Sequence, residues 1–332
     1  MNIGTIGTGF IVDRFMSAVL DIDGMECIAM FSRKEASARP LADKFQVGSI
    51  YTDLKDFLSD SEIDVVYVAS PNSLHALHTQ EALEYGKHVI CEKPFTSTAK
   101  EAAELRELAK EKGLMLFEAI TTIHLPNYQV VKDLLPKIGE IKLVQCNYSQ
   151  YSSRYDKLLA GETPNVFNPA FSGGALADIN IYNLHFVMNL FGSPDSVKYI
   201  ANQHANGIDT SGVLVMTYPG KVVHCTGAKD TDSLNYALIQ GEKGYLHVES
   251  STNVCEAVIL HEKGKESVRF NDQNISNRMH YELMAFKTLL TEENYDTCYR
   301  LLDYSCEVMK VYESARKTAG TRFPADDGKS MS

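Results

Sequence analysis

The sequence predicts two domains: an α/β domain built on a parallel sheet, followed by an α+β domain rich in antiparallel strands. Three observations predict this architecture. The first 120 residues alternate short apolar strands with helical patterns, the rhythm then changes, and strand-like runs between 195 and 270 are separated by turn signals. A chain of 332 residues also exceeds what one small core requires.

The first domain is predicted from its strands. Strand-like runs lie at residues 2–6, 26–31, 64–69, 88–91 and 114–119, with helical patterns between them such as 73–86 and 97–113. Runs such as DVVYVA are apolar at successive positions, as a sheet covered on both faces requires. Strands that alternate with helices predict parallel pairing through right-handed crossovers.

The second domain begins after the last of these strands. A helix is predicted near 126–135, a long strand over 140–151 and a helix at about 175–191. The runs from 195 to 270 are separated by YPGK, QGEKG and HEKGK, a spacing that favours antiparallel meanders. Helices near 278–291 and 297–319 complete the chain, so the predicted domains are 1–120 and 121–332.

Composition excludes several classes of protein. The net charge of −11 argues against a general nucleic-acid binder, and no apolar run approaches the roughly 20 residues of a membrane span. Met1 leads directly into the first strand without a basic region or cleavage site, so we expect a cytoplasmic protein. The seven cysteines are scattered and form no CxxC, so neither a metal site nor a disulfide framework is expected.

A glycine pair follows the first strand and opens a helix. Gly7 and Gly9 give the first two positions of a dinucleotide fingerprint, and Val12 stands at the third. The first glycine permits a tight turn, the second lets the backbone approach a pyrophosphate, and the helix N-terminus supplies positive potential. The cofactor candidates here are therefore Gly7, Thr8, Gly9, Phe10 and Ile11. The alternative is an ordinary strand-to-helix turn.

The end of the second strand bears on the choice of cofactor. An NAD site usually carries an acid here for the ribose 2′-hydroxyl, whereas this chain has Ser32 and Arg33. A guanidinium pairs bidentately with a phosphate, so NADP is favoured over NAD. The alternative is a solvated arginine.

The tetrapeptide CEKP at 91–94 ends the fourth predicted strand of the first domain. Pro94 cannot continue strand pairing, so Glu92 and Lys93 fall at the carboxyl end of a parallel strand, where open α/β sheets bind ligands. Reduction of a carbonyl needs a proton donor and oxidation of an alcohol needs a base, and a lysine with a lowered pKa can serve as either. The alternative is a surface Glu–Lys pair before a turn.

Polar residues recur along the predicted helix at 175–191. Asp178, Tyr182 and His185 lie at positions i, i+4 and i+7 of an otherwise largely apolar stretch, so we expect them to share one face toward a cavity. A core tyrosine satisfied by its neighbours is the alternative. His124 is a weaker candidate for a substrate contact. His75 and His78 have a spacing that could bind a metal, but no further ligand accompanies them, so no metal is expected.

Five stretches together resemble the glucose–fructose oxidoreductase/inositol dehydrogenase (Gfo/Idh/MocA) family. They are the Gly7/Gly9 loop, SPNSLH (70–75), CEKPF (91–95), FEAITTIHLP (117–126) and GGALADINIYNLH (173–185). The resemblance implies a Rossmann domain followed by an α+β domain with a large, mostly antiparallel sheet. It also implies hydride transfer between NAD(P) and a sugar, a polyol or a related small alcohol or carbonyl compound.

The resemblance also implies residue roles. Lys93 would reach the substrate oxygen, Glu92 would orient its surroundings and also border the cofactor, and Asp178 and Tyr182 would complete the catalytic set. Cofactor contacts are implied for Ser70, Pro71, Asn72, His75, Glu92 and Lys93, and substrate contacts for Lys93, His124, Asp178, Tyr182 and His185. A tyrosine at 182 resembles the glucose–fructose oxidoreductase and dimeric dihydrodiol dehydrogenase branches more than the inositol dehydrogenases. Two residues depart from the pattern of the family: Asn180 stands where a glycine is common, and Ile123 stands where many members have an arginine.

Two other functions stay open at this point. One is a catalytically silent dinucleotide sensor that regulates a partner, and the other is an enzyme whose tightly held cofactor cycles between two substrates. The exposed face of a sheet formed by 195–270 predicts a homodimer, or a tetramer built from dimers.

Overall fold

The computed structural model describes residues 1–328, which form two compact units. The first unit comprises Met1–Ala119 with Asn277–Cys306, and the second comprises Ile120–Ser276 with residues 307–328. The end of the predicted second domain, residues 329–332, lies outside the described residues. Within the described part of the chain, no helix combines the length and apolar character needed to cross a bilayer.

The α-helices, in chain order, are α1 (Phe10–Val19), α2 (Glu35–Phe45), α3 (Leu54–Ser59), α4 (His75–Glu84), α5 (Ala99–Lys112), α6 (Pro126–Leu134), α7 (Tyr155–Leu159), α8 (Ile181–Phe191), α9 (Met279–Thr291) and α10 (Tyr295–Thr318). Local sequence explains the limits of α5. Thr98 and Glu101 form a reciprocal capping box at its start, and Gly113, at φ +63°, ends it in the left-handed region.

The first unit contains a parallel sheet. Its strands are β1 (Asn2–Ile6), β2 (Glu26–Phe31), β3 (Ser49–Tyr51), β4 (Val65–Val68), β5 (His88–Glu92) and β6 (Leu116–Ala119). Among the described residues the strand order is β3-β2-β1-β4-β5-β6, with every pair parallel. The order reverses direction beside β1, which is where doubly wound sheets bind ligands. The predicted α/β Rossmann architecture is confirmed.

Helix α9 extends the core of the first unit. Its residues Met279, Leu283 and Phe286 are buried in the same apolar cluster as residues of α1 and β4, and the Phe286 ring stacks on Phe117 at 4.6 Å between centroids. The structure therefore groups 277–306 with the first unit, whereas the division of the sequence at residue 120 assigned this segment to the second domain. The apolar face of α9 explains the difference, because it is buried on the first sheet.

The second unit contains the larger sheet. Its strands are β7 (Ile141–Ser149), β8 (Ser196–Gln203), β9 (Asp209–Tyr218), β10 (Lys221–Ala228), β11 (Tyr236–Gly241), β12 (Gly244–Glu249), β13 (Ala257–Glu262) and β14 (Val268–Phe270). Within residues 1–328 their order is β14-β13-β12-β11-β7-β10-β9-β8. All pairs are antiparallel except β7 with β10, which confirms the predicted mostly antiparallel sheet. Helix α8 packs on β7 and β10, where Cys146 and Cys225 are buried.

Candidate active site

The turn between β1 and α1 fits a dinucleotide. Gly7 has φ +121°, and a Cβ atom there would lie 2.5 Å from the Ala69 carbonyl oxygen. Gly9 has φ −80° and ψ 175°, and a Cβ atom there would meet nothing within 4 Å. No side chain caps the N-terminus of α1, a helix that lies wholly within the described residues. Open space beside an uncapped helix N-terminus is the arrangement that a pyrophosphate requires, so these residues fit the cofactor that the sequence predicts.

A second part of the predicted cofactor site lies at the ends of β2 and β4. The Ser32 backbone N–H donates to the Tyr51 carbonyl at 3.1 Å, and Arg33 is exposed. His78, which sequence reasoning left out of the site, places Nδ1 2.9 Å from the Ser70 hydroxyl oxygen. Burial first, and then the charges of His75 and Arg33, lower the pKa of His78 to about 4. His78 is therefore neutral near pH 7, and the positive charge at this edge of the sheet belongs to Arg33.

The CEKP segment is fixed at the carboxyl end of β5. The Tyr67 hydroxyl donates to Glu92 Oε1 at 2.5 Å, and the Lys93 N–H donates to Glu92 Oε2 at 3.3 Å. Burial raises the pKa of the Glu92 carboxyl, while the Tyr67 hydrogen bond and the Lys93 charge oppose that rise. Lys93 itself is half-buried, and its peptide bond to Pro94 is cis.

His75 connects two loops of this edge. Its Nδ1 lies 2.9 Å from the Pro94 carbonyl oxygen and its Nε2 lies 3.0 Å from the Ser70 carbonyl oxygen. Burial is the main cause that lowers the pKa of His75. Both ring nitrogens therefore face backbone carbonyls, and any influence of His75 on a cofactor passes through the loops that it joins. Pro71 and Asn72 are half-buried at the start of a 3₁₀ turn, Asn72–Leu74.

Within the described residues, the first unit contains two buried carboxyl groups besides that of Glu92, namely those of Glu118 and Glu282. Glu282, on α9, is 1% exposed, and its Oε2 has no hydrogen-bond partner among the described residues. Burial first, and then Glu92 and Glu118, raise the pKa of Glu282 well above its usual range. Glu118, on β6, accepts a hydrogen bond from the Phe95 N–H at 3.1 Å. No local sequence pattern predicts this cluster, because α9 is far from β5 and β6 along the chain.

The predicted polar helix of the second unit begins with a π-helical turn. Leu176–Asn180 is π-helical and continues into α8, so Asp178 lies on a wider turn than the i, i+4, i+7 pattern assumed. Asp178 forms an ion pair with Lys229, which follows β10. The Lys229 side chain is 8% exposed and that of Asp178 is 34% exposed. Sequence reasoning missed Lys229, because nothing near it in the chain marks it as functional.

The other predicted residues of the second unit differ in accessibility. Tyr182 is half-buried, and its ring lies 6.2 Å from that of Tyr148. His185 is fully buried on α8, at 0% exposure. His124 ends the 3₁₀ turn Thr121–His124, and burial together with the Lys132 charge lowers its pKa to about 4. The structure thus brings Asp178 and Tyr182 onto one continuous helical segment, and His185 is buried further along the same helix.

Asn180, which replaces a usual glycine, is accommodated by a glycine elsewhere. Its Nδ2 donates to the Cys225 carbonyl at 3.1 Å, and its Oδ1 accepts from Asn183 at 2.9 Å. A Cβ atom at Gly227 would lie 2.6 Å from Asn180 Cβ. The bare backbone at Gly227 therefore makes room for the larger side chain on the π-helical turn.

Residues 1–328 include every His, Cys, Asp and Glu of the chain. This part of the chain holds no group of three or more His, Cys, Asp or Glu side chains arranged to bind a metal ion. All seven cysteines lie within it, and they are thiols.

The fold and the glycine turn define a dinucleotide-binding α/β protein with an added α+β domain. Comparison with known families agrees with this class. Residues 1–120 match the model of the Gfo/Idh/MocA oxidoreductase family, described as an NAD-binding Rossmann fold, and residues 128–247 match its C-terminal domain. The chain belongs to the Gfo/Idh/MocA family of oxidoreductases, as its motifs predicted, and a nicotinamide dinucleotide is the cofactor of that family.

Individual relatives cover nearly the whole chain. The uncharacterized oxidoreductase YgjR of Escherichia coli (strain K12) is 38% identical over 99% of both chains. The scyllo-inositol 2-dehydrogenase (NADP(+)) IolU of Bacillus subtilis (strain 168) is 34% identical over 97% of this chain and 98% of its own. Mammalian trans-1,2-dihydrobenzene-1,2-diol dehydrogenases also match, for example that of Mus musculus at 25% identity over 97% of this chain and 98% of its own.

Among solved structures, levoglucosan dehydrogenase in complex with NADH and levoglucosan superposes with a TM-score of 0.84. It covers 96% of this chain and 97% of its own at 18% identity, so this likeness speaks for the fold alone.

Proposed function

We propose that this chain is an NADP-preferring dehydrogenase that oxidises a secondary alcohol of a cyclic polyol or sugar, and reduces the matching ketone in reverse. One observation carries the proposal: Lys93 stands at the same carboxyl edge of the parallel sheet as the open turn at Gly9. Strands β1 and β5 are separated only by β4, so both features belong to one ligand-binding edge. The likeness to IolU supports a polyol as the substrate.

The cofactor would be held by the first unit. Backbone N–H groups of residues 7–11 would bind the pyrophosphate, and Ser32 and Arg33 would bind a ribose 2′-phosphate. The loop at 70–72 would border the nicotinamide ribose, and His75 would hold that loop to Pro94. When bound, the dinucleotide supplies the hydride acceptor for oxidation or the hydride donor for reduction.

Proton transfer would fall to Lys93. Its Nζ takes the hydroxyl proton of the substrate during oxidation and returns a proton to the oxygen during reduction. Glu92 would fix the lysine backbone through the N–H contact already described, and Tyr67 holds Glu92 in turn. Lys93 would therefore contact the reacting oxygen directly, and the two residues that hold its backbone in place, Glu92 and Tyr67, are buried.

Substrate hydroxyls would be bound in the second unit. The Asp178 carboxylate can accept hydrogen bonds from a polyol, and the Tyr182 hydroxyl can donate or accept. His124, held neutral by burial, can do both through its two ring nitrogens. The buried His185 would support Tyr182 from below.

A substrate panel tests this function. The purified chain would be assayed with scyllo-inositol, myo-inositol, D-xylose and levoglucosan, each with NADP⁺ and NAD⁺. We expect turnover of at least one cyclic polyol or sugar, with NADP⁺ used at least as well as NAD⁺. Dinucleotide binding without turnover of any compound would contradict the proposal and favour a silent sensor.

We also propose that a second copy of the chain covers the open face of the large sheet. Alternate residues on this face are exposed or half-buried although many are apolar, as with Leu143, Val215, Val222, Leu238 and Tyr245. Cross-strand partners lie side by side, for example Val222 with Leu143, so the apolar surface is continuous. Extended apolar faces of this kind are usually buried in an assembly.

A further inference from the structure

Lys229 is a buried cation that is paired with a partly exposed carboxylate. Its side chain is 8% exposed and its Nζ is paired with Asp178 Oδ2. The Nζ also lies 5.9 Å from the centre of the Phe167 ring. Burying an ammonium group is unfavourable unless a counter-charge compensates it, so the pair with Asp178 accounts for the charge at this position.

The backbone of Lys229 is held on both sides. Its N–H donates to the Thr210 carbonyl at 2.8 Å, and its carbonyl accepts from the Ser152 N–H at 2.9 Å. These bonds fix the base of the side chain beside β9 and the segment that follows β7. The ammonium therefore approaches Asp178 from a defined direction.

The exposure of the pair distinguishes it from a purely structural one. Arg316 and Asp326, also in the second unit, form a bidentate ion pair in which each side chain is 2% exposed. In the Lys229–Asp178 pair only the cation is buried, while the carboxylate remains 34% exposed. A partly exposed carboxylate that is paired with a buried cation can accept hydrogen bonds from a ligand.

We propose that Lys229 is a positioning residue that keeps Asp178 ionised and directs its carboxylate toward substrate hydroxyls. This inference rests on the proposed function, in which Asp178 binds the polyol. An opposite charge in direct contact favours the charged form of a carboxyl group. An ionised carboxylate accepts hydrogen bonds from hydroxyl groups more strongly than a neutral acid does.

Other titratable groups surround the π-helical turn and belong in the analysis of any pH profile. The elements packed on it carry Tyr148, Tyr182, His185 and Asp209, and Asp230 follows the end of β10. Asp209 accepts from the Leu176 N–H at 2.7 Å and the Tyr199 hydroxyl at 2.8 Å, and burial raises its pKa. Asp230 accepts from the Thr210 and Ser211 hydroxyls. Lys229 is paired directly with Asp178.

The test compares Lys229→Met, Lys229→Arg, Asp178→Asn and the double variant Lys229→Met/Asp178→Asn. With scyllo-inositol and NADP⁺, Lys229→Met should lower kcat/KM about 10- to 100-fold, mainly through KM, and shift its acidic limb to higher pH. Lys229→Arg should recover most of the loss. Once Asp178 is Asn, removing Lys229 should change kcat/KM by less than about twofold, because the two residues act as a unit.

Lys221→Met is the matched control. Lys221 begins β10, and its Nζ lies over the Phe191 and Tyr218 rings at 5.3 and 5.4 Å. Loss of this lysine should leave KM and the pH profile unchanged. An unshifted profile in Lys229→Met, or an equal loss with and without the Asp178 carboxylate, would overturn the inference.

A measurement of stability separates this inference from the proposed function. Lys229→Met removes a counter-charge of Asp178, so its Tm should fall relative to the parent as pH rises from about 3 to 6, the range in which a carboxyl group ionises. The double variant should lose this pH-dependent fall. If the parent shows no turnover, the proposed function is refuted, but the Tm comparison still tests the interaction between Lys229 and Asp178. A Tm difference that does not change with pH would overturn the inference.

Discussion

The two glycines of the β1–α1 turn should respond differently to a single methyl group. At Gly9 the backbone (φ −80°, ψ 175°) is one that alanine adopts, and the new Cβ would meet nothing within 4 Å. Gly9→Ala should therefore change stability little, because the lower unfolded-state entropy of alanine is offset by its weaker preference for the helix N-cap position that Gly9 occupies. The same methyl group would occupy the space that a pyrophosphate needs, so NADPH affinity should fall at least about tenfold.

Gly7→Ala should lower stability. Its φ of +121° is unfavourable for alanine, and the Cβ atom would lie 2.5 Å from the Ala69 carbonyl oxygen. A loss of about 1–3 kcal/mol is expected from the backbone strain. Gly86→Ala is the control, because Gly86 has φ +77° but open space around it, so stability should drop with NADPH affinity unchanged.

Calorimetry without cofactor and NADPH fluorescence titration would measure the two effects separately. If Gly9→Ala binds NADPH as tightly as the parent, the space beside α1 is not the pyrophosphate site and the reasoning fails.

Three further predictions follow. Arg33→Ala should weaken NADPH about 10- to 100-fold and NADH by less than about twofold in fluorescence titrations, because only NADPH carries the 2′-phosphate; equal losses would exclude this role. Burial holds the pKa of His124 at about 4, below its unfolded value, so the unfolded chain binds more protons and stability falls as pH drops from about 6.5 toward 4. His124→Gln should reduce that loss by about 1–2 kcal/mol in urea titrations at pH 4.5 and 7, whereas an unchanged loss would show that His124 is not responsible. Light scattering at micromolar concentration should give a dimer or a tetramer, and Val222→Glu should dissociate it; a monomeric parent would contradict the proposed assembly.

The parallel sheet could be predicted from the sequence because each of its main strands is an apolar run with a helical pattern after it. The runs at 2–6 and 26–31 correspond to β1 and β2 residue for residue. Strand β3 was not predicted, because Ser49–Tyr51 has three residues and no pattern of its own. Such a strand forms only because the edge of β2 is there to pair with it.

Some residues of the candidate site come together only through contacts between distant parts of the chain, so their roles could not be predicted from the sequence. Lys93 and Asp178 could be found because each belongs to a recognisable motif. Lys229 lies 51 residues from its partner in an ordinary strand end, and Glu282 reaches the first unit only when α9 packs on the sheet. The π-helical turn at 176–180 was also invisible, since the sequence pattern fits an α-helix equally well.

Single-turnover hydride transfer in Lys93→Met tests the central assignment most directly. Cofactor affinity would be measured separately, so that a binding defect cannot pass for a chemical one. Loss of the proton-transfer group should slow hydride transfer about 10²- to 10⁴-fold while NADPH still binds. Hydride transfer at the parent rate in Lys93→Met would contradict the assignment of Lys93 as the group that handles the proton of the substrate oxygen.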